Sequence, residues 1–227
     1  MARQTAAEAD AQVKVWDPWV RITHWGIVGL LGLSCWSAWT HRMDLHVTSG
    51  LCMLGLVVFR IVWGIIGSES ARFTRFLKSP LAAIRHIRHI GRREPDTEPG
   101  HNAAGGWMVA AMLGLLLTQA VSGLFTDDQI FTRGPLARSV PGAVSDWFSS
   151  LHIRVVYVIL AATALHVLAI LLYRVLKGQD LVRPMITGVK RMPAWAANHA
   201  PRIAPAWLGA IVLAMSAAIV VGLARLG

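Results

Sequence analysis

The chain contains nine histidines, and four of them, His24, His46, His152 and His166, fall within or at the ends of long apolar runs. An ionisable side chain inside a bilayer is costly and is a functional candidate by default. A neutral imidazole offsets that cost when one ring nitrogen gives its lone pair to a metal and the other N–H donates to a protein acceptor. Metal ligation is therefore the chemistry these four residues suggest.

Their spacing narrows it. His152 and His166 are fourteen residues apart, which on a helix is about 1400° of rotation, or four turns less about 40°. They face nearly the same side and stand about 21 Å apart along the axis. His46, at the outer end of its run, matches the depth of His152. His24 matches that of His166 within the latitude of tilt and kinks. Two pairs at two depths are what two bis-histidine haems in one bundle require. Haem b is held by axial side chains alone, and helical bundles build cofactor sites from facing residues.

Other residues fit around this arrangement. Arg60 lies fourteen residues after His46, so it repeats that face at the inner depth. There it suits a haem propionate through its planar fork, or snorkelling to the interface. Gly50, one turn after His46, leaves room for a flat macrocycle or for a helix contact. His101, just before the third run, suits a propionate, a quinone head-group or an ordinary interfacial place. His41 reads as a turn residue, His86 and His89 as solvated members of a basic segment, and His199 as loop.

The elements that must position these residues are apolar helices. Hydrophobic residues make up 55% of the chain and charged residues only 15%, well below the usual quarter of soluble domains. Five spans are predicted: about Val20 to Trp39, Leu45 to Gly67, Asn102 to Phe125, Leu151 to Tyr173 and Ala206 to Leu226. Each is long enough to cross about 30 Å of hydrocarbon. Asp17-Pro18 supplies a cap and a first-turn proline for the first. The fold class is thus an all-α polytopic membrane protein of five predicted transmembrane helices.

The net charge of +10 does not point to nucleic acid, because the basic residues sit in alternate loops and no polar module carries them. Residues 68–100 hold Arg72, Arg75, Lys78, Arg85, Arg88, Arg92 and Arg93. The loop after the fourth run holds Lys177, Arg183, Lys190, Arg191 and Arg202. Basic loops stay cytoplasmic, which predicts an inner-membrane protein with its N-terminus inside and its C-terminus in the periplasm. Trp16, Trp19, Trp39, Trp63, Trp147 and Trp207 fall near span ends, as an aromatic belt would. Leu81, Ile84 and Ile87 repeat every three residues beside arginines, the pattern of a helix lying on anionic inner-leaflet lipid. Cys35 and Cys52 sit in apolar runs without a Cys-x-x-Cys-His element, so covalent haem attachment is not expected, and packing is their plain role. The polar Met1 to Val15 segment lacks the apolar region of a cleavable signal, so the first span is expected to serve as an uncleaved anchor.

These residues also resemble a known family, the bacterial cytochrome b561 group, which includes the cytochrome b subunits of nickel–iron hydrogenases. The resemblance rests on Val15-Trp-Asp-Pro-Trp-Val-Arg-Ile-Thr-His24-Trp25 and on His46 with Phe59-Arg60-Ile-Val-Trp63-Gly64. Ala71-Arg-Phe, Gly100-His-Asn102, His152 and His166 extend it over roughly residues 13 to 190. It implies a four-helix transmembrane haem-binding bundle, plus a fifth C-terminal helix in this chain, residues 1–190 forming the di-haem domain with its cytoplasmic tail and 191–227 a linker and the additional helix. It also implies two haems b, His24 pairing with His166 for the inner and His46 with His152 for the outer. It implies electron exchange between ubiquinone or menaquinone and a periplasmic redox partner: a cytochrome c, a hydrogenase or another oxidoreductase. The fifth span departs from the pattern; covering a flank, docking a partner and homodimer formation are its candidate uses.

The expected function is accordingly an electron-transfer subunit with two non-covalent haems b and an exchangeable quinone. A self-sufficient quinol-dependent oxidoreductase, feeding superoxide formation or a soluble cytochrome, is the alternative within redox chemistry. A histidine-based metal or ion transporter is the alternative outside it, although the five spans as read contain no Asp or Glu.

Overall fold

The structure is a computed structural model that describes residues 10–88, 98–129, 132–194 and 200–226. His89, His199, Arg92 and Arg93 lie outside the described residues. Its long elements are helices: α1 (Pro18–Trp39), α2 (Met43–Ile66), α5 (Ala103–Leu124), α6 (Gly142–Leu172) and α8 (Ala206–Ala224). Short pieces lie between them: β1 (Asp10–Lys14), α3 (Phe73–Phe76), α4 (Pro80–Arg88), α7 (Val182–Thr187) and β2 (Val189–Pro193).

Local chemistry sets the ends of the long helices. The Asp17 carboxylate accepts from the Val20 N–H at 2.9 Å, and Asn102 accepts from Gly105 N–H at 2.8 Å; both are N-caps. Pro18, Pro141 and Pro205 stand at helix starts, where a missing N–H costs nothing. α1 closes with Arg42 N–H donating to the Ser37 carbonyl at 2.8 Å. His41 sits between them at φ 56°, the left-handed position of a Schellman cap. That is a structural use for His41.

Among the described residues, four helices are long and apolar enough to cross a membrane: α2, α5, α6 with its continuation to Lys177, and α8. The 22 residues of α1 carry Arg21, Thr23 and His24 and fall outside that set by apolarity. α6 begins at Gly142, nine residues before the start expected at Leu151. Packing extends it: Ser145 Oγ donates to the Phe125 carbonyl at 2.7 Å, and Phe148 stacks on Phe125 at 4.7 Å. Along α6 the sevenfold series Ser145, His152, Ile159, His166, Tyr173 contains three of the buried residues, Ser145, Ile159 and Tyr173. After Leu172 the helix loosens to a π turn, Tyr173–Lys177.

The described chain divides into two compact units. One holds the residues up to Arg21, Trp63–Ala110 and Ala164–Leu208. In it β1 pairs antiparallel with β2, Gln12 opposite Arg191. The second Asp17 oxygen accepts from the Trp63 indole N–H at 3.1 Å, and both residues are fully buried. Trp16 is buried as well. These two tryptophans are core residues, not the interfacial belt the sequence suggested, whereas Trp39, Trp147 and Trp207 are exposed. In α4, Leu81, Ile84 and Ile87 are exposed, but Ala83 is buried and His86 bonds the Tyr173 hydroxyl at 2.6 Å. His86 is two residues past Ile84, turned about 200° from the apolar stripe, so it faces the protein and not the solvent expected for it. Asn102 donates to the same hydroxyl at 3.0 Å.

The other unit holds Ile22–Val62, Ala111–Thr163 and the residues from Gly209 on. Its apolar centre is Leu54 of α2, Leu124 of α5 and Val220 of α8, flanked by Leu51, Leu117, Val121 and Leu223. A Cβ on Gly55 would lie 3.6 Å from Val220. α8 therefore covers a flank of α2 and α5, one of the three uses considered for it.

Candidate cofactor site

His46 and His152 come together. Their ring centroids are 6.1 Å apart and their planes cross at 88°. Two metal–imidazole bonds of about 2 Å, with each centroid about 1 Å behind its nitrogen, span roughly 6 Å. The separation suits two rings on opposite sides of one metal.

The tautomers fit the same use. His46 Nδ1 lies 2.9 Å from the Ser34 carbonyl, and His152 Nδ1 lies 2.9 Å from the Gln119 carbonyl. A carbonyl only accepts, so each Nδ1 carries the proton and each Nε2 keeps its lone pair for a metal. In both cases a serine three residues further on also donates to that carbonyl: Ser37 to Ser34 at 3.1 Å and Ser122 to Gln119 at 2.9 Å. Ser49 donates to the His46 carbonyl at 2.9 Å, and its Oγ is 2.7 Å from that of Ser34. Among the described residues no group of three or more His, Cys, Asp or Glu is placed to hold a metal ion. Two protein ligands alone suit a metal that arrives with its remaining ligands, as the iron of a haem does.

A Cβ added to Gly50 would meet nothing within 4 Å, and the same holds at Gly29, Gly32 and Gly114. Gly123 is different, because a Cβ there would approach His152 Cε1 to 3.0 Å. It is glycine because the imidazole lies against the α5 backbone. Arg60 is buried on α2 in the same unit.

The remaining histidines are placed less fully. His24, on α1, lies in the same unit as His46, with its ring edge-on to Trp25 at 5.0 Å. His166, on α6, belongs to the other unit. Both are half-buried. His101 contacts Trp16 at 4.7 Å and Phe76 at 4.9 Å, beside a cavity of about 400 Å³ that also touches Arg75, Arg202, Glu69 and Glu98.

Sequence reasoning did not single out Ser34, Ser37, Gln119 and Ser122, the residues that aim the two rings. The available signal was their polarity in apolar helices, with two of them at the i+3 position of a carbonyl that must serve two donors. Such serines bond back to their own helix as readily as to a ligand, so spacing alone does not separate the cases.

Comparison with known proteins bears on the same residues. Neither a curated protein nor a solved structure matches the chain. The family model of the prokaryotic cytochrome b561 matches residues 15–188, a stretch that includes the Asp17 cap, Arg60 and the paired His46 and His152. Members of that family are membrane proteins that bind haem b and transfer electrons. The chain belongs to the prokaryotic cytochrome b561 family.

Proposed function

We propose that the protein is a di-haem b electron-transfer subunit of the cytoplasmic membrane, linking the quinone pool to a periplasmic redox protein. The observation that carries this reading is the His46–His152 pair, with both Nδ1 protons committed to backbone carbonyls. Haem iron, once bound, supplies a one-electron couple. The chain supplies the rest: ligand orientation through Ser34 and Gln119, a dry apolar surround, and buried Arg60 as the cation for a propionate. His24 and His166 are assigned to a second haem on the α6 face that repeats fourteen residues after His152. His101, against two aromatic rings beside its cavity, is assigned to the inner side with a propionate or a quinone head-group.

Membrane placement follows from charge and hydropathy. α1 serves as a fifth span, its Arg21 and His24 tolerated because one bonds the Ile186 carbonyl and the other is a ligand. Basic loops set residues 68–100 and 177–202 on the cytoplasmic side. The N-terminus is then inside, the C-terminus outside, and the exposed Leu81, Ile84 and Ile87 of α4 rest on lipid. The di-haem unit comprises residues 1–190, followed by a linker and α8.

The test is spectroscopic. The purified, reduced protein should show a b-type spectrum and yield two haems per chain in a pyridine haemochrome assay. His166→Ala should remove one of them and leave the other. A colourless protein would refute haem binding, and full haem retention in the His166 variant would refute the assigned pairing.

A further inference from the structure

The carbonyl supports of the two rings differ at one atom. His152 Nδ1 lies 2.9 Å from the Gln119 carbonyl and also 3.2 Å from Ser122 Oγ. Ser122 is about 1% exposed, and its hydroxyl sits 2.9 Å from that same carbonyl. Three atoms thus surround one another, and their chemistry allows a single arrangement. The carbonyl can only accept, so the imidazole Nδ1 and the hydroxyl both donate to it. The free lone pair of Ser122 Oγ then takes a second share of the Nδ1 proton.

We propose that Ser122 is a positioning residue that shares the His152 Nδ1 proton with the Gln119 carbonyl and thereby fixes the ring's orientation and its donor strength toward iron. The inference rests on the reading of His152 as a haem ligand. Two acceptors on one N–H resist rotation of the ring about its Cβ–Cγ bond. The ring lies against Gly123, where an added Cβ would come within 3.0 Å of His152 Cε1. In a buried, weakly screened setting such bonds polarise one another. An N–H drawn toward two oxygens makes the opposite nitrogen more basic. A more basic ligand favours ferric over ferrous iron, so Ser122 lowers the reduction potential of the haem that His152 binds.

The experiment uses the full-length, haem-loaded protein with Ser122→Ala, the near-isosteric Ser122→Cys and the hydroxyl-retaining Ser122→Thr. Haem content is read by pyridine haemochrome, and the midpoint by potentiometric titration of the component that His152→Ala removes. Ala and Cys should retain that haem and shift its reduction equilibrium three- to tenfold toward the ferrous form, about 30 to 60 mV upward for a one-electron couple. Thr should restore the wild-type midpoint. A midpoint that is unchanged or lower in both Ala and Cys, with haem retained, overturns the role of Ser122. Undiminished haem in His152→Ala overturns the ligand reading instead, so the two failures are distinguishable.

Discussion

The ring planes of His46 and His152 cross at 88° with their centroids 6.1 Å apart, each ring tied through Nδ1 to the carbonyl of a different helix. Ser34 belongs to α1 and Gln119 to α5, while the histidines themselves come from α2 and α6. One pair of rings therefore engages four helices. If the pair holds one haem, His46→Ala and His152→Ala should each remove the same spectral component and halve the haem-to-protein ratio. Added imidazole should restore part of it. Loss of different components in the two variants would separate the residues into different sites.

The 88° angle between the rings has its own spectroscopic consequence. Perpendicular imidazoles donate into different iron d orbitals and leave them nearly degenerate, which gives low-spin ferric haem a strongly anisotropic resonance. Electron paramagnetic resonance of the oxidised protein should show such a signal, and it should vanish in His46→Ala. A rhombic spectrum typical of coplanar rings would exclude the arrangement.

Gly50 and Gly123 make opposite predictions. A Cβ on Gly123 meets the His152 ring at 3.0 Å, and overpacking of that kind costs about 1–3 kcal/mol. Gly123→Ala should thus weaken haem retention during purification. At Gly50 a Cβ meets no protein atom within 4 Å, so Gly50→Ala should not disturb the packing of the helices. If the open space is the haem's, Gly50→Leu should lower the Soret absorbance per protein. Equal tolerance of Ala and Leu would return Gly50 to a lipid-facing or helix-contact role.

The helices were legible because a bilayer imposes a single strong rule on composition, and α2, α5 and α8 begin and end within two residues of the expected limits. The start of α6 was not, because residues 142–150 are helical through packing on Phe125 and not through apolarity. Trp16 and Trp63 misled for a related reason: tryptophan suits both an interface and a core, and only the Asp17 carboxylate opposite the Trp63 N–H decides between them. Of the site, the meeting of His46 with His152 was foreshadowed by their matched positions on separate spans. The aiming carbonyls were not, since a backbone oxygen has no letter in the sequence.

Asp17 performs two functions at a fully buried position, capping α1 through Val20 and accepting from Trp63. Asp17→Ala loses the cap, typically about 1 kcal/mol, and removes the carboxylate that accepts from the buried Trp63 indole N–H, a further cost of about 1–3 kcal/mol. Asp17→Asn can keep the cap oxygen but turns an amide N–H toward the Trp63 donor, so it should recover only part of the loss. Thermal unfolding of the detergent-solubilised variants should rank wild type above Asn and Asn above Ala. An Asn variant as stable as wild type would mean that the Trp63 bond contributes nothing measurable.

Glu69 joins the turn after α2 to the segment before α8. Its backbone N–H donates to the Arg202 carbonyl at 2.9 Å, and its carboxylate accepts the Arg202 N–H at 3.1 Å and pairs with Arg75. The Arg202 backbone N–H, aided by the charges of Arg75, Arg202 and Arg72 and opposed by burial, holds the carboxyl below its ordinary value. A carboxyl depressed on folding contributes its stability above the unfolded value, roughly pH 4 to 5, and loses it as pH falls through the lower folded value. The link should therefore be intact at neutral pH and release in acid. Hydrogen exchange at residues 200–204 should be slow at pH 7 and, corrected for intrinsic rate, faster below pH 4. Glu69→Gln should show the faster exchange at both, because it lacks the charge at any pH. Protection in that variant matching wild type at pH 7 would show that the Glu69–Arg202 backbone bond and the Ala204–Ser68 bond hold the segment without the carboxylate.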